Sequence, residues 1–406
     1  MNVETNVIHT GDALEKLDEL IENSVHAIVT DPPYGLAFMG RDWDDFEPKE
    51  YQEWCEEWAR KAKRVLRPGG HLLAFSGNRT HHRLFSGVED AGFEVRDTIT
   101  WHYGSGFPKA LDVSKAIDKQ ANAEREVIAE READDIRGGE YRNDHEDTTT
   151  YEYTEPATDA AKQWDGWKTT LKPATEFVVV ARKPLGEDTV AGNVREWGTG
   201  ALNIGECRVG SEERENEPPG DNDVYSQASG GHGAVEGRYP SNVVFDETAA
   251  ANLDDATEDT VSTGGVAAAK NGHKDDRHEW KASHGPNTGG LGDKGGVSRY
   301  FYTSKASRAE RTLDGKIENA HPTVKPTDLM EWLVTLATAK DQIVLDPFAG
   351  SGTTSKAAKN KHREFIGIEK QAQWADVARV RCGLTPDDPS VVRDADDNQA
   401  GMEEWT

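Results

Sequence analysis

Residues 342–346 form a short buried-type apolar strand that runs directly into Asp346-Pro347-Phe348-Ala349-Gly350-Ser351-Gly352-Thr353-Thr354. A helical stretch follows, then a second apolar strand at 364–368 that ends on Glu369. Strand, glycine turn, helix and strand in that order make a βαβ unit, which commits the chain to a parallel sheet with helices packed on it. Gly350 and Gly352 let the backbone turn tightly and approach a ligand closely. Glu369 lies 19 positions after Gly350, close to the ~20 that separate a glycine turn from the carboxylate that binds ribose hydroxyls. An adenosine-containing ligand fits both features. A dinucleotide turn would carry a third glycine, but Ser355 stands in its place, and no G-K-[ST] follows to make a phosphate loop. Asp346, the aromatic Phe348 and the small Gly-Ser-Gly suit a cationic cofactor without phosphates, such as S-adenosyl-L-methionine.

The N-terminal region repeats the alternation. Runs at 3–8, 25–29, 71–75 and 93–101 have strand length and β-branched or apolar content. Between them, 13–21 puts Leu14, Leu17, Leu20 and Ile21 on one helical face, and 51–66 does the same with Trp54, Trp58, Ala62 and Val65. Pro68-Gly69-Gly70 is expected to stop the second helix and turn the chain. From about 121 to 165 the chain carries a charged insertion, and 171–183, centred on Phe177-Val178-Val179-Val180, returns to strand character. Residues 212–237 and 263–296 are rich in Gly, Asn, Asp and Ser and read as irregular, whereas 193–207 and 237–246 read as ordered. Regular structure resumes at 298 and ends near 384, before an acidic tail at 385–406.

The first of these motifs with chemistry is Asp31-Pro32-Pro33-Tyr34, which closes the 25–29 strand. Two prolines fix φ and remove two backbone donors, so the turn presents a carboxylate and bare carbonyl oxygens beside an aromatic ring. Such an edge accepts protons from the amine of a flat ring.

Asp31-Pro32-Pro33-Tyr34, then His321-Pro322-Thr323-Val324-Lys325-Pro326, then the glycine turn at 346–354 together resemble the permuted beta-class DNA amino methyltransferases. The resemblance covers roughly 7–119, 171–183 and 299–381. It implies a circularly permuted α/β, Rossmann-like methyltransferase sheet: a catalytic half at 1–185, a partly irregular target-recognition insertion at 186–297 and a cofactor half at 298–384. Asp31, Pro32, Pro33 and Tyr34 would then be catalytic, with Tyr34 stacked on an extruded base. Asp346, Phe348, Gly350 and Gly352 would hold the methionine and sulfonium end of S-adenosyl-L-methionine, and Glu369 the ribose. Asp12 would meet the adenine amine, and Thr323 and Lys325 would line the amino-acid end.

The substrate implied is double-stranded DNA, with the N6 amine of adenine favoured by an Asp rather than a Ser in first position. N4 of cytosine is the alternative; RNA, a protein glutamine amide and an inactive DNA-binding module are further readings. Carbon-5 methylation of cytosine needs a Pro-Cys nucleophile. Cys55, Cys207 and Cys382 follow Trp, Glu and Arg instead, and are too scattered for a zinc site or a disulfide framework. No metal is expected.

The charge balance runs against a nucleic-acid substrate, since 74 acidic residues against 47 basic ones leave a net charge of −27. Acidic residues spread from Glu15 to Glu404, which points to salt adaptation and a halophilic source, an archaeon or its virus. At about 1 M salt the Debye length is only ~3 Å, and such a surface does not repel DNA as it would in dilute buffer. Candidate phosphate contacts are Arg79, His81, His82 and Arg83 in one group and Arg299, Lys305, Arg308 and Arg311 in another; salt bridges are the competing use. Trp43 is a candidate for the base pocket. No apolar run is long enough to span a membrane, so a cytoplasmic protein is expected, with any restriction endonuclease a separate partner. Oligomeric state, recognised DNA sequence and biological setting are not legible.

Overall fold

The computed structural model describes residues 3–36, 46–104, 106, 110–132, 150–215, 234–257, 260–261, 294–304, 312–313, 315–317 and 324–392. They fall into two compact units, one of 105–174 and one of the remainder.

The larger unit is built on a nine-stranded sheet: β1 (Val7–Thr10), β2 (Val25–Thr30), β3 (Leu66–Gly77), β4 (Glu94–His102), β5 (Thr175–Arg182), β6 (Val243–Asp246), β7 (Tyr302–Ser304), β8 (Ile343–Asp346) and β9 (Glu364–Glu369). Their order is β1-β9-β8-β2-β3-β5-β4-β6-β7. Every pairing is parallel except those of β5, which runs antiparallel to β3 and β4. The expected α/β fold is borne out.

Six helices cover this sheet's two faces around the site. Leu17 of α1 (Ala13–Glu19), Trp58 of α2 (Pro48–Val65) and Leu84 of α3 (His81–Asp90) pack on Ile28, Leu72 and Val179. On the other face α8 (Thr327–Ala337), α9 (Thr353–Asn360) and α10 (Ala372–Arg381) supply Leu333, Ala357 and Ala378 against Val29, Leu73 and Val180. The labels between these belong to α4 (Val113–Gln120) and α5 (Asp159–Gln163) in the smaller unit and α6 (Val190–Trp197) and α7 (Glu247–Ala256) in the larger. All six residues of β2 are buried, as expected of a central strand covered on both faces.

This layering dictates where a ligand can sit. From β8 the chain crosses by α9 to β9 on one side, and from β2 it crosses by α2 to β3 on the other. The loops leaving the carboxyl ends of the adjacent strands β8 and β2 therefore diverge and leave a crevice between them.

One expectation is corrected in detail. Pro68-Gly69-Gly70 does not turn the chain between a helix and a strand; helix α2 ends at Val65 and β3 already begins at Leu66. The register jumps from Val25↔Leu66 to Ala27↔His71, so the triplet bulges out of the pairing with β2. Pro68 has no N–H to give, and Gly69, at φ +76°, turns its own toward Lys183 and Pro184. Of the described residues within 186–297, Val243–Asp246 lies in the main sheet, and Asn193 of α6 donates to the Pro68 carbonyl at the amino end of β3. The smaller unit reaches from 105 to 174 and includes the described part of the charged stretch.

Within that smaller unit, Asp118 on α4 is nearly buried and is the hub of the packing. It pairs with Arg125 and accepts from the Ala157 and Thr158 amides and the Thr158 hydroxyl. An antiparallel ribbon of Val127–Glu132 and Thr150–Thr154 completes the described part.

Candidate active site

The two sequence motifs meet at the carboxyl ends of β2 and β8. Val344 and Leu345 pair with Ala27 and Ile28, which puts Thr30 beside Asp346. The Thr30 hydroxyl donates to Asp346 Oδ1 at 2.6 Å across 316 positions of chain. Asp31, the next residue, opens the Pro-Pro-Tyr turn.

The cofactor side is made of carboxylates and close backbone. Asp346 is 3% exposed and also accepts from the Phe348 amide at 3.1 Å. Burial pushes its carboxyl up to about 6, with the nearby Asp31 charge acting in the same direction and the hydrogen bonds from Thr30, Thr354 and Phe348 opposing it. Gly352 starts α9 at φ +80°, and a Cβ there would sit 2.7 Å from the Ala378 Cβ, so the turn closes onto α10 only with glycine. Glu369, at the end of β9, accepts from the Gly350 amide at 2.9 Å and the Gln371 amide at 2.8 Å. Burial raises its carboxyl despite those bonds. Each of its oxygens keeps acceptor capacity for a further donor.

Asp12 follows β1, which pairs with β9 through Thr10↔Glu369. It caps α1 through Leu14 N at 2.9 Å and pairs with Lys370 at 3.1 Å. Phe348 packs among Trp54 (5.4 Å between ring centroids) and Trp58 (5.6 Å). Three carboxylates, an aromatic wall and a glycine turn with no phosphate-binding Lys in it fit S-adenosyl-L-methionine, whose hydroxyl and amino groups need acceptors.

On the catalytic side, four groups close a hydrogen-bonded ring. The Tyr34 hydroxyl donates to Asp31 Oδ1 at 2.8 Å and lies 3.1 Å from Glu176 Oε2. Lys325 Nζ donates to Asp31 Oδ2 at 2.6 Å, lies 3.2 Å from Glu176 Oε2 and 3.2 Å from the Tyr34 oxygen. Burial alone would lower Lys325, but the two carboxylates outweigh it and its ammonium titrates above the ordinary lysine range. Burial, then Asp31 and Glu176, push the Tyr34 phenol well up. The Pro33 carbonyl is taken by the Tyr51 hydroxyl at 2.9 Å. Among the described residues no donor is bonded to the Pro32 carbonyl.

Sequence-predicted residues thus gather in two adjoining groups: Asp12, Asp346, Phe348, Gly350, Gly352 and Glu369 in one, Asp31 to Tyr34 in the other. Lys325, expected on the cofactor side, places its ammonium on Asp31. Thr323, Lys305, Arg308, Arg311 and Trp43 lie outside the described residues. Arg79 is exposed in the turn after β3, and His81 at the start of α3 stacks on Phe177 at 4.2 Å. Arg83 is held by Gln52, and Arg299 by the Gly295 and Gly296 carbonyls and the Tyr300 hydroxyl. Glu176 escaped the sequence reading because a single Glu before a Phe-Val-Val-Val run reads as a strand edge; only the antiparallel placement of β5, with Glu176 opposite Gly77 and Trp101, brings it to Tyr34.

Asp346 makes stability depend on pH. Its folded-state value lies above the ~3.9 of a free Asp, so its contribution is full below about pH 4 and is lost as pH rises through about 6. Urea unfolding is expected to lose on the order of 2 to 3 kcal/mol over that window from this group. In Asp346→Asn that portion of the slope should vanish.

Fold and site together describe an α/β protein in which a carboxylate-rich glycine turn adjoins an Asp-Pro-Pro-Tyr turn on the neighbouring strand. Residues 25–379 match the family model described as DNA methylase, N6/N4 type, and the chain belongs to that family, the S-adenosyl-L-methionine-dependent DNA amino-methyltransferases. It is 22% identical over 415 residues to type II methyltransferase M.HindIII of Haemophilus influenzae, covering 93% of this chain and 95% of that protein. With type II methyltransferase M.HpaI of Haemophilus parainfluenzae it shares 34% identity over 113 residues, 27% of this chain and 35% of the relative. Among solved structures it is similar to the PvuII DNA methyltransferase (cytosine-N4-specific), at a TM-score of 0.46 and 15% identity, covering 92% of this chain and 85% of that one.

Proposed function

We propose that this protein methylates the N6 amine of adenine in a specific sequence of double-stranded DNA, taking the base out of the duplex to do so. The observation that supports this most is the Thr30 to Asp346 hydrogen bond, which ties the amine-accepting turn to the cofactor turn on neighbouring strands.

Bound S-adenosyl-L-methionine would supply an electrophilic methyl group on a sulfonium. The chain's own residues do the rest by placement. Asp31 and the Pro32 carbonyl, to which no donor is bonded among the described residues, are two acceptors for the two protons of a ring amine, whose lone pair is otherwise delocalised into the ring. Tyr34 offers its ring as a stacking surface for an extruded base, offsetting an unstacking cost of about a few kcal/mol. Asp346 and Glu369 hold the cofactor, with Asp12 and Phe348 at its sides. All three cysteines are buried, and burial pushes each thiol up to about 12, which removes the nucleophile that carbon-5 methylation requires.

Arg79, His81 and Arg83 stand after β3, at the same carboxyl edge of the sheet as Asp31, and are assigned to phosphate contact, with Arg299 as a second point. Residues 186–297 remain the assigned reader of the DNA sequence. The acidic surface suits a protein working in high salt. By likeness to the full-length type II relative, a separate endonuclease of the same specificity is the expected partner.

The product decides the base. DNA methylated by the purified protein and digested to nucleosides is expected to contain N6-methyl-2′-deoxyadenosine. N4-methylcytosine as the sole product would reverse the choice of base, and 5-methylcytosine or a methylated protein amide would overturn the reading.

A further inference from the structure

Lys325 is buried, and Asp31 alone would neutralise it. The Glu176 carboxylate brings a second negative charge to the same ammonium, which among the described residues leaves the ring of Asp31, Tyr34, Lys325 and Glu176 with one charge in excess. An excess charge in a mostly buried cluster is costly, more so where a polyanion must approach. A purely structural anchor for Lys325 would need only one carboxylate. Both carboxylates reach solvent, Glu176 at 19% and Asp31 at 18% side-chain exposure against 8% for Lys325, and Glu176 does so from the far side of Tyr34 in the ring's order of bonds.

The methyl transfer itself supplies a use for that charge. As the N–C bond forms and the S–C bond breaks, the S–C pair stays on sulfur as a neutral thioether, and the ring amine becomes cationic with one proton too many. With a base seated against Asp31, that proton needs a route away from the amine. Resting on the methyl-transfer reading above, we propose that Glu176 is a positioning residue that acts through Tyr34 and Lys325, fixing Asp31 as an acceptor and giving the departing proton a way out.

The atoms balance along the distances present. Asp31 takes the proton from the methylated amine and passes it to the Tyr34 oxygen, 2.8 Å away. Tyr34 gives its own proton to Glu176 across 3.1 Å, and Glu176 releases one proton to water. The phenol both accepts and donates, so it is never left as a phenolate, in keeping with a hydroxyl that burial and two carboxylates make reluctant to ionise. Lys325 stays protonated throughout and orients both carboxylates. Gly77 completes the geometry: a Cβ there would lie 3.0 Å from the Tyr34 ring, so the small residue lets the ring stand between the two acids.

Single-turnover transfer of labelled methyl groups from S-adenosyl-L-methionine to unmethylated, PCR-amplified genomic DNA tests this, run from about pH 6 to 9 for the wild type, Glu176→Gln, Glu176→Asp and Asp31→Asn. Glu176→Gln is expected to keep cofactor binding and to transfer methyl groups roughly 10 to 100-fold more slowly. Its rate should rise with pH where the wild type is flat, and its solvent deuterium isotope effect should grow. Glu176→Asp should recover part of the rate and, should the Gln variant fold poorly, carries the same comparison. Wild-type rate and pH profile in Glu176→Gln, with Asp31→Asn inactive, would overturn the role of Glu176 and leave the methyl-transfer reading standing. A slow Glu176→Gln with unchanged pH profile and isotope effect would overturn the proton route. Full activity in Asp31→Asn would instead refute the methyl-transfer reading itself.

Discussion

Asp31→Ala is expected to lower the single-turnover rate of methyl transfer by at least about 100-fold, and toward 1000-fold, the range seen when one preorganised transition-state partner is removed. On the proposed function, the substitution deletes the acceptor assigned to the amine while the charge on nitrogen is growing. It leaves the cofactor side intact, since Asp346, Gly350 and Glu369 are held by Thr30, Gln371 and each other's backbone. Asp31 also pushes the Asp346 carboxyl up, so its removal favours the ionised Asp346 and should if anything tighten binding of a cationic cofactor. Lys325 keeps Glu176 as a counter-charge at 3.2 Å, and the fold should hold. Methyl transfer to DNA and equilibrium cofactor binding, measured on the same variant, separate the two effects. Loss of both together would place Asp31 in cofactor binding rather than in the transfer step.

Lys325→Met should be the more damaging change to the fold. Removing one partner of a buried ion pair typically costs about 3 to 5 kcal/mol, and here two carboxylates are left facing each other around Tyr34 with no cation. The wild-type pair is at full strength near neutrality: because Lys325 titrates above its ordinary value, its contribution is complete below the ordinary lysine value of ~10.4 and fades only as pH rises through the higher one. In the variant one carboxyl must take up a proton to relieve the repulsion, so its deficit should shrink as pH falls. Urea unfolding of the wild type and variant across the acid-to-neutral range reads both. A deficit below about 1 kcal/mol at neutral pH would mean that the ring is solvated like a surface pair.

Much of this architecture can be read from residue order. The run 342–346, the glycines at 350 and 352 and the acid at 369 specify strand, turn, helix and strand locally, because apolar periodicity and the freedom of glycine act over a few residues. The pairing of β2 with β8 is a different matter, since it depends on which hydrophobic faces are left to bury after the helices have taken theirs. Pro68-Gly69-Gly70 shows where local rules mislead. Turn-forming residues became a bulge because Lys183 and Pro184, more than a hundred residues later, offer carbonyls to Gly69. Lys325 and Glu176 show the same for the site. Lys325 stands in a recognisable motif, but its ammonium on Asp31 comes from burial there; Glu176 sits in no motif and acquires its place only from burial beside Tyr34. Asp31 and Asp346 were legible because rigid prolines and small glycines around them have few other uses.

The central claim is that Asp31 and Asp346 belong to one methyl-transfer site. A crystal structure with S-adenosyl-L-homocysteine, the demethylated product of the cofactor, tests it most directly. Ribose hydroxyls are expected on Glu369, the amino-acid end at the Asp346 to Gly352 turn and the sulfur facing Asp31 and the Pro32 carbonyl. A ligand bound away from that crevice, or with its sulfur turned from Asp31, would contradict it.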